Sequence, residues 1–268
     1  DIGGSRASMA LMAAEVLGIP IETIHPQVVA TDAVGYCDVT GGSRTTLATG
    51  QAVIQAADEL VAELCRRAAL DWDVPESDVE WLEGAAHHGE QSLSFEDFAS
   101  RANGMGGPLT VSSSLNSTSA SPGFGVHLCD AEVDKETGRT TITRYTVVQD
   151  AGKAIHPAYV EGQMQGGAAQ GIGWALNEEY VYNDQGVLEN PGFLDYRIPV
   201  ASDLPFIDTV IVEVPNPLHP VGVKGVGEVP IVPPMPAVAQ AVFDSAAIRV
   251  MNLPLSPAKV VAAIVEDT

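Results

Sequence analysis

The 268-residue sequence carries a formal net charge of −22, from 35 acidic and 13 basic side chains. This excess of negative charge argues against nucleic acid or an anionic membrane surface as a partner, because both require clustered Lys and Arg. The sequence has neither the ~18-residue apolar run of a membrane-spanning helix nor a basic, apolar leader, so we expect no membrane segment and no signal peptide. Three dispersed cysteines, Cys37, Cys65 and Cys129, form no CxxC pair, which predicts free thiols in the cytoplasm.

Helix and strand signals follow each other irregularly along the chain. Ser5 is predicted to cap a helix that ends before Gly18, and Ser43 to cap a helix that continues to about residue 69. β-branched residues predict strands at 21–30, 179–183 and 206–214, and a polar turn predicts a hairpin of strands 125–133 and 140–148. Further helices are predicted at 95–102, from Pro157 to about 176, at 236–248 and at 257–265.

This mixture predicts an α+β fold of two-layer mixed sheets with packed helices, because hairpin-connected strands do not suit a doubly wound parallel sheet. We expect two subdomains, residues 1–122 and 123–268, which together form one module. The first residues read as a strand end entering a glycine turn. We therefore expect the chain to be part of a longer polypeptide, and a genuine terminus is the alternative.

Two glycine-rich helix starts have the same sequence. Residues 3–6 and 41–44 both read Gly-Gly-Ser-Arg, and each precedes a predicted helix. Free N–H groups and the dipole at a helix start attract phosphate, and glycine lets a ligand approach the backbone closely. Two ordinary capped helices are the alternative, but the repetition in an acidic chain favours an anionic cofactor.

A glycine-dense segment, residues 162–173, lies inside a predicted helix. Each glycine costs a helix ~1 kcal/mol relative to alanine, so the segment needs a packing or binding reason. At helical spacing Gln163, Gly166, Gly167 and Gln170 share one face, which could lie against a flat ligand. Tight packing against a sheet is the alternative, and both explanations can hold for different faces.

Glu228 stands alone among Gly, Val and Pro in residues 222–230. An apolar neighbourhood raises the pKa of a carboxyl group and makes it a useful base. A solvated surface glutamate is the alternative. Three prolines nearby, at positions 230, 233 and 234, favour a stiff loop and hence a functional carboxylate.

These motifs, in this order, resemble the xanthine dehydrogenase/aldehyde oxidase/carbon monoxide dehydrogenase family of molybdenum hydroxylases. Residues 147–157 and 190–197 match the family as well, so the resemblance covers nearly the whole chain and fits the carboxy-terminal part of the large subunit. It implies a fold of the molybdenum-cofactor-binding type. It also implies an oxidoreductase that hydroxylates or oxidises a small aldehyde, an N-heterocycle, an acyl-CoA-linked aromatic or carbon monoxide with water as the oxygen source.

The resemblance also implies roles for individual residues. Glu228 would be the catalytic base that deprotonates a hydroxyl on molybdenum, and Gln163 would lie beside the metal centre. The expected cofactor-binding residues are Gly4, Ser5, Arg6, Gly41, Gly42, Ser43, Thr45, Lys224 and Gly227. No direct protein ligand to the metal is expected, because the dithiolene of the pterin holds it. Gly3 replaces a glutamine of many relatives, which removes one expected hydrogen bond to the cofactor.

The implied cofactor is molybdopterin, as the cytosine dinucleotide, with [2Fe-2S] clusters and FAD on partner subunits. The implied partners are the amino-terminal half of the large subunit, the iron–sulfur and flavin subunits and a small-molecule substrate, so the chain is expected to be inactive alone. A non-catalytic module that carries or assembles the cofactor is the alternative. A nicotinamide-binding Rossmann protein is disfavoured, because no GxGxxG follows a strand.

Overall fold

The computed structural model describes residues 4–37, 39–116 and 122–266, and these residues form two compact units. The first unit contains the described residues up to 116 together with Asn216–Val223. The second unit contains residues 122–215 and the described residues from 224 onward. The predicted division into subdomains 1–122 and 123–268, which together form one module, stays a prediction.

The first unit combines helices with a small antiparallel sheet. Its helices are α1 (Ser5–Leu17), α2 (Thr45–Trp72) and α3 (Phe95–Arg101), and its sheet contains β1 (Glu80–Leu82), β2 (Ala85–His88) and β3 (Gln91–Ser94) in that order. One apolar face of α2, centred on Leu64 and Ala68, packs against Leu93 and Phe98. This amphipathic packing follows the apolar spacing of the α2 sequence.

Three local predictions in the first unit are wrong. The N-cap of α1 is Gly4 rather than Ser5, and the N-cap of α2 is Arg44 rather than Ser43. The predicted strand at 21–30 is a short 3₁₀ turn, Ile21–Thr23, followed by an irregular exposed segment. β-branched residues favour a strand only where a neighbouring strand pairs with them, and among the described residues this segment has no such partner.

The second unit has a mixed sheet of order β4-β5-β6 covered by helices. Strands β4 (Gly125–Val133) and β5 (Thr140–Asp150) form the predicted antiparallel hairpin, and β6 (Ile207–Val212) pairs with β5 in parallel. The helices are α4 (Pro157–Leu176), α5 (Pro234–Ala246) and α6 (Pro257–Glu266). The predicted α+β class, with helices packed on small mixed sheets, is therefore confirmed.

The core of the second unit lies between β5 and the helices. Tyr145 and Val147 point inward from β5 and pack with Met164 and Ile172 of α4 and Val238 of α5, all nearly inaccessible to solvent. The predicted strand at 179–183 is wrong, because this part of the chain forms only one isolated bridge, between Tyr182 and Leu188. Its aromatic residues are exposed, so they are not held on a sheet surface in this structure.

Candidate functional site

The two glycine-rich helix starts both belong to the first unit. Gly4 adopts a left-handed conformation with φ of 82°, and Ser5 and Arg6 form the first turn of α1, with Arg6 exposed. Gly3 lies outside the described residues, so the contacts expected to be lost there stay a prediction.

The second helix start is an exposed glycine turn. Gly41 and Gly42 are exposed, and a Cβ atom built on either would meet nothing within 4 Å. Gly42 and Ser43 both have positive φ, 65° and 56°, which turns the chain sharply into α2. Thr45 begins the helix, and its hydroxyl lies 3.4 Å from that of Thr40. The backbone at this loop is therefore accessible to a ligand.

His219 anchors the start of α2, a role that the sequence did not indicate. Its Nδ1 accepts a hydrogen bond from the backbone N–H of Val221 at 3.2 Å, so Nε2 carries the proton and donates to the carbonyl oxygen of Leu47 at 3.1 Å. Burial lowers the pKa of His219, which keeps the ring neutral, although the bond to Leu47 opposes this shift. An isolated histidine in a loop gives no sequence signal for such a contact.

The glycines of α4 serve two different faces. Gln163, Gly166 and Gln170 are exposed, and a Cβ atom built on Gly166 would meet nothing within 4 Å. Gly167, on the same side by helical spacing, is buried, so this position of the predicted face is not open to a ligand. Instead a Cβ on Gly167 would lie 2.5 Å from Cγ of Pro230. One side of the helix is thus open to a ligand, and the other packs closely against protein.

That close packing is made against residues 224–230, which we call the Glu228 loop, and the residues that follow it. A Cβ on Gly171 would lie 2.5 Å from the carbonyl oxygen of Ile231 and 2.7 Å from Cγ of Pro234. Only glycine lets the α4 backbone approach these atoms so closely. The packing explanation for the glycine-dense helix therefore holds for Gly167 and Gly171.

Glu228 lies near the end of the loop, on an exposed position. Its carbonyl oxygen accepts a hydrogen bond from the N–H of Ile231 at 3.1 Å, and the 3₁₀ turn Val229–Ile231 begins directly after it. The expected burial of this glutamate is not found in this chain: Glu228 is exposed. The reason is that Val226 and Pro230 turn toward the protein interior, which directs the intervening residue outward.

A buried ion pair lies at the beginning of the Glu228 loop. Lys224 Nζ is 2.6 Å from Oδ2 of Asp150, the last residue of β5, and each side chain is only 9% exposed. The other carboxylate oxygen accepts hydrogen bonds from the N–H groups of Gly152 at 2.9 Å and Val214 at 3.2 Å. Burial would raise the pKa of Asp150, but Lys224 and these two N–H groups hold it below its usual range.

Gln149, next to Asp150, also contacts the loop. Its side chain is 1% exposed, and Nε2 donates to the carbonyl oxygen of Val226 at 3.4 Å. Sequence reasoning did not single out Gln149 or Asp150, although both lie in the matching segment 147–157. The available signal was an acidic residue followed by Ala-Gly at the end of a predicted strand, which is typical of a carboxylate that binds backbone N–H groups.

Comparison with known proteins identifies the family. Residues 1–205 match the family model described as the molybdopterin cofactor-binding domain. The chain belongs to this family. It is 32% identical over 267 residues to the putative xanthine dehydrogenase molybdenum-binding subunit of Escherichia coli K12, which covers 96% of this chain and 36% of that protein. It is 30% identical over 250 residues to the carbon monoxide dehydrogenase large chain of Hydrogenophaga pseudoflava, which covers 90% of this chain and 31% of that one.

Solved structures give the same result. Carbon monoxide dehydrogenase from Oligotropha carboxidovorans matches 99% of this chain with a TM-score of 0.85 and 29% identity. Quinoline 2-oxidoreductase from Pseudomonas putida 86 matches 98% of it with a TM-score of 0.86 and 28% identity. The match covers 34% and 35% of those chains, so this chain spans about a third of the length of its relatives.

The predicted membership of the molybdenum hydroxylases is thus confirmed. The roles of individual site residues stay predictions. Among the described residues, His, Cys, Asp and Glu nowhere form a group of three or more that could hold a metal ion. None of the helices described here is long and apolar enough to cross a membrane.

Proposed function

We propose that this chain is the cofactor-binding and proton-transferring part of a molybdenum hydroxylase that oxidises a small molecule with water as the oxygen source. The observation that carries the proposal is the geometry of the Glu228 loop. The loop is packed against glycines of α4 and paired with the end of β5, while the Glu228 carboxylate remains exposed. A rigid support with an accessible carboxylate suits a general base.

The exposed glycine turn before α2 fits an anionic pterin cofactor. Gly41 and Gly42 leave open space beside the backbone, so a flat or phosphorylated group can approach within hydrogen-bond distance of N–H donors. Ser43 and Thr45 would add hydroxyl donors, and Gly4, Ser5 and Arg6 would act at the start of α1. The amide of Gln163, exposed on the open face of α4, offers both a donor and an acceptor.

In this proposal the bound molybdenum cofactor supplies the site at which water oxygen is activated and two electrons are accepted. The residues of this chain would bind the cofactor and orient it. Glu228 in its ionised form would serve as the acceptor for a proton of the water that provides the oxygen, and Gly227, which has no side chain, would leave room for the cofactor beside this carboxylate. The stiff packing of Pro230 against Gly167 limits the positions that the carboxylate can adopt.

The finer features of the proposal follow the relatives. Several of them are named as subunits or chains of larger enzymes, which supports a large subunit completed by an amino-terminal half and by iron–sulfur and flavin partners. We propose the cytosine dinucleotide form of the cofactor by analogy with the carbon monoxide dehydrogenases. We also propose a cytoplasmic enzyme with a substrate among aldehydes, N-heterocycles, acyl-CoA-linked aromatics and carbon monoxide.

Replacement of Glu228 by Gln in the complete enzyme tests this proposal. We expect steady-state turnover per bound molybdenum to fall by about 10²- to 10⁴-fold, which is the usual contribution of a general base. Glu136→Gln, an exposed glutamate in the β4–β5 turn, is the matched control and should keep normal turnover. Turnover by Glu228→Gln that equals the control would remove Glu228 from the mechanism.

A further inference from the structure

We propose that the carboxyl end of β5 fixes the position of Glu228, with Gln149, Asp150 and Lys224 as positioning residues for the reaction. This inference rests on the proposed function, because it assumes that Glu228 is the base. It adds a device that the cofactor-binding motifs do not contain, a latch between β5 and the Glu228 loop.

The latch consists of three contacts from consecutive residues of the chain. Gln149 donates to the carbonyl oxygen of Val226, Asp150 pairs with the ammonium of Lys224, and the carbonyl oxygen of Ala151 accepts from the N–H of Lys224 at 3.2 Å. Together they hold both the side chain and the backbone of the loop within four residues of Glu228. Tyr145 and Val147 bury the same strand in the core, so the anchor itself is rigid.

The environment of the ion pair argues for a fixed geometry. The Asp150 carboxylate uses both oxygens, one for Lys224 and one for two backbone N–H groups. The Lys224 ammonium also lies 5.9 Å from the centre of the Phe124 ring, which adds a cation–π contact. With both side chains 91% buried, each charge depends on the other, since a buried charge without a partner is unfavourable.

These contacts also bear on the alternative role of Lys224, a ligand to the cofactor. An ammonium 2.6 Å from a buried carboxylate has its charge already compensated within the protein. A cofactor phosphate would have to compete with Asp150 for it. The arrangement therefore assigns Lys224 to the support of the loop and not to the recognition of an anion.

Variants of both partners in the complete enzyme test the latch. Asp150→Asn keeps an acceptor for Gly152 and Val214 but loses the negative charge, and Lys224→Met keeps most of the aliphatic stem. Lys224→Arg retains the ion pair. Lys153→Met is the matched control, because it removes an exposed pair in the same unit, with Glu213 at 3.2 Å.

Three quantities should be measured: molybdenum content, turnover per bound molybdenum and amide hydrogen exchange of residues 224–229. We expect Asp150→Asn and Lys224→Met to retain the metal, to exchange these amides at least tenfold faster, and to lower kcat by about 10- to 100-fold with KM little changed. Lys224→Arg should recover most of the rate. In a Glu228→Gln background the same changes should have no further effect on kcat.

Two results would overturn the latch. The first is unchanged amide exchange at residues 224–229 in both variants. The second is loss of molybdenum in Lys224→Met while Asp150→Asn behaves as wild type, which would make Lys224 a cofactor ligand. Failure of the proposed function would be a separate result. Normal turnover by Glu228→Gln alone would show that Glu228 is not the base, while the amide exchange data would still test whether the latch holds the loop.

Discussion

Replacement of Gly171 by Ala isolates the close approach of α4 to the residues after Glu228. Alanine is favoured over glycine inside a helix by about 1 kcal/mol, so the change stabilises α4 considered alone. The new Cβ, however, would lie 2.5 Å from the carbonyl oxygen of Ile231 and within 3 Å of two atoms of Pro234. Overpacking of this kind costs typically about 1–3 kcal/mol, so the net effect should range from neutral to about 2 kcal/mol destabilising.

Gly162→Ala is the matched control in the same helix. A Cβ at Gly162 would meet nothing within 4 Å, so this variant should gain about 1 kcal/mol from helix propensity alone. Urea denaturation of the 268-residue chain, followed by circular dichroism, should place the two variants about 1–3 kcal/mol apart in free energy of unfolding. Equal stabilisation by both substitutions would refute the close contact between α4 and the Ile231–Pro234 segment.

Two further predictions concern the cores. Burial lowers the pKa of His127 from 6.5 to about 4. Between these pH values the histidine is protonated in the unfolded chain but neutral in the folded protein. The folded protein is therefore most stable above pH 6.5 and loses this stability as the pH falls toward 4. We expect the free energy of unfolding of wild type, relative to that of His127→Gln, to fall by about 1–2 kcal/mol from pH 7 to pH 4; the partial exposure of His127 keeps the change this small. A difference that does not depend on pH would contradict this prediction. Leu64 of the first unit is 1% exposed, so Leu64→Ala should lower the free energy of unfolding by about 2–5 kcal/mol. Leu82 is 56% exposed, so Leu82→Ala should lower it by well under 1 kcal/mol in the same denaturation assay.

Local sequence signals predict the correct element where they agree with the packing of the folded chain. The β4–β5 hairpin and the start of α4 at Pro157 have strong turn and helix-start signals, and the structure confirms both. The strands expected at 21–30 and 179–183 failed, because β-branched and aromatic residues were present without a partner strand among the described residues. Propensity alone cannot supply that partner.

The same distinction between local and long-range signals applies to the candidate site. Glu228 and the glycine motifs are visible in the sequence, because they depend on residue type within a short segment. The support of the Glu228 loop is not visible, since Asp150 and Lys224 are 74 residues apart in the chain. The sequence left both a buried and an exposed Glu228 open, because the outcome depends on Val226 and Pro230 turning inward on either side of it.

The most direct test of the account is the reduction of the molybdenum centre by substrate in a single turnover. Wild type and Glu228→Gln should be compared anaerobically in the complete enzyme at equal molybdenum content, so that electron transfer to partners does not limit the rate. We expect the metal centre to be reduced at least about 10²-fold more slowly in Glu228→Gln than in wild type. Equal rates of reduction in the two proteins would contradict the central claim that Glu228 accepts the proton.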